Sequence, residues 1–344
     1  MKTLVLESPG HLLATDTPPP GPPGPGQARV RVHRIGVCGT DIHAYHGRQP
    51  FFSYPRILGH ELGVEVLATG AGVHHVRPGD RCAVEPYLHC GRCAACRGGK
   101  PNCCSGLQVL GVHRDGGQRE EILVPAAKLH PANNLTFDQL ALVETLAIGA
   151  HAVARANIVP GETVAVIGAG PIGLSAIQLA QAAQARVIVV DVNRSRLDFC
   201  RDRLGLATAD LIDAGAGDVV ARLESLTGGD LPSAVLDATG NRCSMESSFR
   251  YPAHGGRLVF IGLFAGEITF ADPDFHRREL TLLASRNALP ADFTRLLQQV
   301  EAGIIDTTPW ITHRARLEDA PAVFESWTAP ETGVIKALIE VPVS

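Results

Sequence analysis

The sequence predicts an α/β protein of two domains, one irregular and β-rich, the other a doubly wound parallel sheet. At 344 residues the chain exceeds the size at which a single core stops growing. Over roughly the first 145 residues, Gly, Pro and short β-branched runs such as Ala28-Arg29-Val30-Arg31-Val32 give the texture of antiparallel strands. From Glu162 onward, strand-like and helix-like stretches alternate, as βαβ units require.

Taken in order, Pro18 to Gly26 is nearly all Pro and Gly and reads as a loop between strands. Thr163 to Ile167 predicts a strand, Leu174 to Ala183 a helix, and Arg186 to Asp191 a second strand. Ala234 to Asp237 and Arg257 to Gly262 repeat the apolar run ended by Asp or Gly. The doubly wound domain is therefore expected over 147–288. The last 55 residues, with a helix near Phe293 to Ala302 and a strand from Ile335 to Val341, are expected to rejoin the first domain, giving it 1–146 and 289–344.

Composition excludes several partners. The 31 Lys plus Arg against 35 Asp plus Glu leave a net charge of −4, with no basic stripe for nucleic acid or anionic lipid. The first seven residues reach Glu7 before any long apolar run, which does not support a secretory signal. No stretch approaches the roughly 20 apolar residues of a spanning helix. A cytoplasmic protein without nucleic-acid or membrane partners is the expectation.

Nine cysteines are an odd number, and Cys90, Cys93, Cys96, Cys103 and Cys104 crowd together. In a reducing compartment that points to metal rather than to disulfides. Cys90-x2-Cys93-x2-Cys96-x7-Cys104 supplies four thiols in one short lobe, enough to close a tetrahedral zinc shell. The adjacent Cys103 leaves the fourth ligand open by one residue. Cys38, in Cys38-Gly39-Thr40-Asp41-Ile42-His43, and Gly59-His60-Glu61 form a second set of Cys, His and carboxylate, which leaves a coordination position open for chemistry. Cys82, Cys200 and Cys243 read as buried small hydrophobes.

Gly168-Ala169-Gly170-Pro171-Ile172-Gly173 follows a predicted strand and opens a helix, and Asp191 ends the next strand 18 positions after Gly173. The first two glycines allow a tight turn and close approach of backbone to a pyrophosphate, the third packs helix on strand, and the helix N-terminus attracts phosphate. Asp191 can accept from a ribose diol and repels a 2′-phosphate, which favours NAD over NADP. Arg194 and Arg196 nearby soften that discrimination.

In this order, Cys-Gly-Thr-Asp-x-His, Gly-His-Glu, the four-cysteine lobe and the glycine motif resemble the zinc-dependent medium-chain dehydrogenase superfamily, over essentially the whole chain. The resemblance implies a GroES-like catalytic domain with a Rossmann domain. It also implies an NAD-dependent zinc alcohol dehydrogenase that assembles as a homodimer or homotetramer, with an edge strand near Val259 to Phe264 available for pairing. By the same resemblance Cys38, His60 and a carboxylate, either Glu61 or Glu144, hold catalytic zinc, and Cys90, Cys93, Cys96 and Cys104 hold structural zinc. Glu144-Thr145 stands where polyol dehydrogenases commonly have Glu-Pro. Zinc would act as a Lewis acid toward an alcohol oxygen, and hydride would pass to the nicotinamide. Thr40 would take the alcohol proton and hand it through the cofactor ribose to His43, unless His43 is an ordinary surface histidine. Arg196 is implied at the adenosine phosphate or ribose and Lys336 at the pyrophosphate, each with the alternative of a solvated charge.

Within the superfamily the chain resembles polyol, threonine and sugar-acid dehydrogenases, especially those of the L-galactonate 5-dehydrogenase type. The segments 49–56, 111–117, 272–276 and 285–288 carry that likeness. A sugar acid needs a cationic partner for its carboxylate, a role that suits planar Arg. Arg286 is the first choice, with His113, Arg114 and Arg56 behind it. The expected partner is a small sugar acid or polyol. A nonenzymatic zinc and dinucleotide binder is the reading from another class, and the joint presence of Cys38, Thr40, His60, Glu61 and Glu144 argues against it.

Overall fold

The computed structural model describes residues 1–49 and 52–342, so Pro50 and Phe51 of the segment 49–56 lie outside the described residues. The chain divides into two units, Met1–Glu144 with Leu289–Ser344, and Thr145–Ala288. The first boundary thus falls two residues before the expected 146.

In the first unit the long strand Gln27–Gly36 is the organiser. It pairs antiparallel with Glu61–Thr69, with Glu121–Pro125 and with the C-terminal strand Lys336–Glu340. Its alternation explains this placement: Ala28, Val30 and Val32 are fully buried, while Arg29 and Arg31 point to the wetter face and approach Glu121. Arg81–Val84, Leu129–Pro131 and the parallel strand Ile311–Arg316 complete a seven-stranded sheet. The core joins Leu4, Leu6, Val30, Val32, Leu62, Val64, Phe324 and Ile339, each large side chain worth about 1.5–3 kcal/mol on burial. The expected terminal helix runs over Pro290–Glu301. Pro18 to Gly26 connects the strands His11–Asp16 and Gln27–Gly36.

The second unit holds a six-stranded parallel sheet in the order Leu211–Asp213, Arg186–Asp191, Thr163–Ile167, Ala234–Asp237, Arg257–Phe260, Thr281–Ala284. Val164, Ala165 and Val166 are fully buried, as befits central strands covered on both faces. The strand order reverses between Thr163–Ile167 and Ala234–Asp237, the switch point at which such sheets bind ligands.

The expectation of an edge near Val259 to Phe264 is corrected here. Arg257–Phe260 is interior, paired on both sides, and the edge is Thr281–Ala284. That four-residue strand follows a charged helix and carries no long apolar run to announce it. Cys243 is exposed rather than buried. Cys82 and Cys200 are buried, and burial pushes both thiols up to about 12.

Candidate metal centre and dinucleotide site

The register of the central strands builds the metal centre. Gly36 pairs with Glu61 across the antiparallel ladder, so Cys38, just beyond one strand, and His60, just before the other, leave the same end of the sheet. Cys38 caps the helix Gly39–Tyr45 with extended backbone, and its N–H donates to Asp41 Oδ2 at 3.0 Å. One ligand atom each of Cys38, His60 and Glu61 lies within 4.8 Å of the others. Gly36 makes this possible, since a Cβ there would stand 2.0 Å from Glu61 Oε2.

Around these atoms the centre is strongly anionic. Asp41, Glu61 and Glu144 are buried carboxylates, and Lys336 is a buried ammonium among them. Lys336, the expected pyrophosphate contact, is buried here. Its Nζ donates to both Glu61 oxygens at 2.8 Å and to the Val37 carbonyl at 3.3 Å, which uses all three of its protons. Burial alone would lower its pKa, but Glu61 and Cys38 outweigh that and raise it. Burial raises the pKa of Asp41 and of Glu144. His60 would be depressed by burial, yet Asp41 and Cys38 hold it well above its usual value. His60 Nδ1 stands 3.7 Å from Asp41 Oδ1, and both atoms are buried without a hydrogen-bond partner.

Three carboxylates, a thiol and an imidazole beside one ammonium make a donor set that suits a buried dication. A Cys, a His backed by a carboxylate, and a further carboxylate is also the donor chemistry of an open zinc site. The residues fit the ion.

Glu144 lies in the first turn of the helix Val143–Ala156 and is not part of the compact three-residue set. It accepts a hydrogen bond from the Tyr87 hydroxyl, and Tyr87 is 2% exposed. Nothing in the sequence marks this residue's place, because a tyrosine in a short apolar strand reads as ordinary core.

Cys90, Cys93, Cys96 and Cys104 form the second cluster, each sulfur within 4.8 Å of the others. Cys93 caps the short helix Ala94–Arg97. The turn Pro101–Cys103 then carries Cys104 inward, where it is 6% exposed, and leaves Cys103 outside. Of the two adjacent cysteines, Cys104 is the one that lies in the cluster. Backbone N–H groups of Cys96 and Ser105 pull the Cys93 thiol down to about 5, favouring the thiolate that binds metal.

In the second unit two glycines of Gly168-x-Gly170-x-x-Gly173 have a geometric reason. Gly168 has φ +90°, and a Cβ on Gly173 would lie 1.7 Å from the Gly168 carbonyl oxygen, while Gly170 caps the helix Pro171–Ala182. Ile172 sits in the first turn, where N–H groups lack intrahelical partners. Asp191 is 6% exposed and accepts from Ala169 N at 2.6 Å and from Asn193 N at 2.7 Å. Asn193 in turn caps the helix Arg194–Leu204. Each Asp191 oxygen keeps a lone pair beyond these bonds, so the carboxylate both fastens the loop and can accept from a ribose. The Arg196 side chain reaches over Gly170, 3.7 Å from the position of a Cβ there. Arg194 is exposed.

Thr40 and His43 lie three positions apart on the helix Gly39–Tyr45, Thr40 half-buried and His43 exposed. Arg286 is exposed just beyond the strand Thr281–Ala284. Like Arg286, the other carboxylate-binding choices have local partners: His113 Nδ1 accepts from Val109 N at 3.1 Å, Arg114 donates to the Gln108 side chain, and Arg56 holds Asp115 at 3.1 Å and Ser53 at 2.8 Å.

A β-rich unit presenting Cys, His and carboxylate, and a parallel-sheet unit with a glycine loop and a strand-end acid, together define a metal-dependent nicotinamide dinucleotide dehydrogenase. Residues 24–134 match the alcohol dehydrogenase GroES-like domain, and residues 171–302 match the zinc-binding dehydrogenase domain. L-galactonate-5-dehydrogenase of Escherichia coli (strain K12) is 42% identical over 98% of each chain. L-arabinitol 4-dehydrogenase of Hypocrea jecorina is 32% identical over 92% of this chain and 85% of its own. The crystal structure of the short chain alcohol dehydrogenase rspB of E. coli CFT073 complexed with NADH superposes with a TM-score of 0.91 at 28% identity, covering 99% of each chain. The chain belongs to the zinc-dependent medium-chain dehydrogenase superfamily, and it is an oxidoreductase acting on alcohols. Among the described residues no helix is long and apolar enough to cross a membrane.

Proposed function

We propose that the protein oxidises a secondary alcohol of a sugar acid, the C5 hydroxyl of an L-galactonate or L-gulonate type substrate, with NAD as hydride acceptor. The observation that carries this reading is the 42% identity to L-galactonate-5-dehydrogenase over 98% of both chains. Arg286 supports it as an exposed guanidinium able to pair bidentately with the substrate carboxylate.

Cys38, His60 and one of Glu61 and Glu144 hold the catalytic zinc, and Cys90, Cys93, Cys96 and Cys104 the structural one. Catalytic zinc supplies a Lewis acid that lowers the pKa of the substrate hydroxyl. Thr40 takes the hydroxyl proton and passes it by way of the cofactor ribose to His43, exposed on the same helix, and so to solvent. Lys336 keeps Glu61 charge-matched. Gly168, Gly170, Ile172 and Gly173 bind the pyrophosphate, and Arg196 lies beside it. Asp191 selects NAD, because its buried carboxylate repels a 2′-phosphate. Two copies pair along the open edge Thr281–Ala284.

The test is NAD reduction with a panel of L-galactonate, L-gulonate, sorbitol, L-arabinitol and L-threonine. The reading predicts the highest kcat/KM on an aldonate, lowered at least tenfold by Arg286→Ala with little change on a neutral polyol. Turnover confined to polyols or threonine contradicts it, and a higher kcat/KM with NADP than with NAD contradicts the cofactor assignment.

A further inference from the structure

We propose that Tyr87 is a positioning residue for the catalytic metal: its hydroxyl holds Glu144 Oε1, so that Oε2 is the oxygen presented to the ion. The inference rests on the metal-site reading above.

The two carboxylates near Cys38 and His60 are held in different ways. Glu61 meets an ammonium with both oxygens at 2.8 Å, so its charge is already matched. Glu144 is buried, and its one hydrogen-bond partner among the described residues is the neutral Tyr87 hydroxyl on Oε1. The hydroxyl satisfies a lone pair on Oε1 and leaves Oε2 without a hydrogen bond among the described residues, so Oε2 is the oxygen free to meet a cation.

Packing fixes the direction of that hydroxyl. The Tyr87 ring meets Phe293 edge-on, with centroids 6.3 Å apart at 71°. Phe293 is fully buried and stacks on His130 at 4.9 Å, and His130 Nε2 in turn lies 3.2 Å from Glu85. A tyrosine seated this firmly orients a ligand instead of following it.

The experiment uses the zinc-replete enzyme and Tyr87→Phe, which removes only the hydroxyl. Zinc retention is followed against rising dipicolinate, with the four-cysteine zinc as internal reference, and the visible spectrum is recorded after cobalt exchange at the catalytic site. The expected result is loss of catalytic zinc at about 10–100-fold lower chelator, a shifted cobalt spectrum and retention of the structural zinc. Glu144→Gln behaves similarly, and adding Tyr87→Phe to it produces no further loss, as expected for two residues acting through one contact. Wild-type retention and an unchanged spectrum in Tyr87→Phe overturn the inference. So does release of both zincs together with a lowered Tm, which makes Tyr87 a packing residue only. A wild-type chain that binds only the structural zinc defeats the metal-site reading itself, and this is seen before any substitution is made.

Discussion

Replacing Lys336 by Met removes a buried ammonium at the metal centre and takes it from both oxygens of the buried Glu61 carboxylate. Both groups are almost inaccessible, with side-chain exposures of 2% and 1%, so solvent offers little compensation. Breaking a buried pair from one side costs about 3–5 kcal/mol, because the remaining charge is stranded. For a unit of roughly 200 residues this corresponds to a fall in Tm on the order of 10 °C. Glu61→Gln/Lys336→Met removes both charges, and its cost is expected to be well below the sum of the single substitutions. The sign of the pH dependence follows from the raised Lys336 pKa. Its contribution is complete below the usual 10.5 and is lost only as pH rises through the still higher folded value. The gap between wild type and Lys336→Met is therefore flat across neutral pH. Guanidinium denaturation of the zinc-replete proteins measures all of this. A loss under about 1 kcal/mol for Lys336→Met, or strict additivity in the double variant, refutes the argument.

Three further outcomes are expected. Cys104→Ala loses the structural zinc by metal analysis, whereas Cys103→Ala keeps it, since only Cys104 faces the cluster. Gly173→Ala destabilises the chain by about 1–3 kcal/mol and weakens NAD binding in a fluorescence titration, because its methyl group would enter the Gly168 carbonyl at 1.7 Å. Asp138 is raised by burial but lowered more by Arg314 and Arg34, so its folded pKa lies below the usual 3.8. Its stabilisation is present above that value and lost as pH falls through the folded one. Asp138→Asn should therefore cost about 1 kcal/mol at pH 7 and little in strong acid, compared by denaturation at the two pH values.

Much of the fold was legible because its signals are local. The alternation in Ala28 to Val32, the glycine spacing before Pro171 and the Cys-x2-Cys-x2-Cys run each state their own geometry. Metal ligands were legible by residue type, but the groups that hold them were not. Lys336 is some 275 positions from Glu61, and nothing in its neighbourhood distinguishes a buried counter-ion from a cofactor contact. Tyr87 reads as a core aromatic until its hydroxyl is seen on Glu144. The choice between Cys103 and Cys104 depended on which of them the end of the turn Pro101–Cys103 buries, which spacing does not specify. The edge strand was misplaced for a related reason: Thr281–Ala284 is four residues long and mostly exposed, so it lacks the buried run that marked Arg257–Phe260.

The central claim is that Cys38 and His60 hold an ion on which alcohol oxidation depends. Zinc per chain and NADH formation, measured together on wild type and on Cys38→Ser, test it most directly. The account predicts two zinc ions falling to one, with the four-cysteine ion retained and NADH formation abolished. Two ions in Cys38→Ser, or undiminished NADH formation with one, would contradict it.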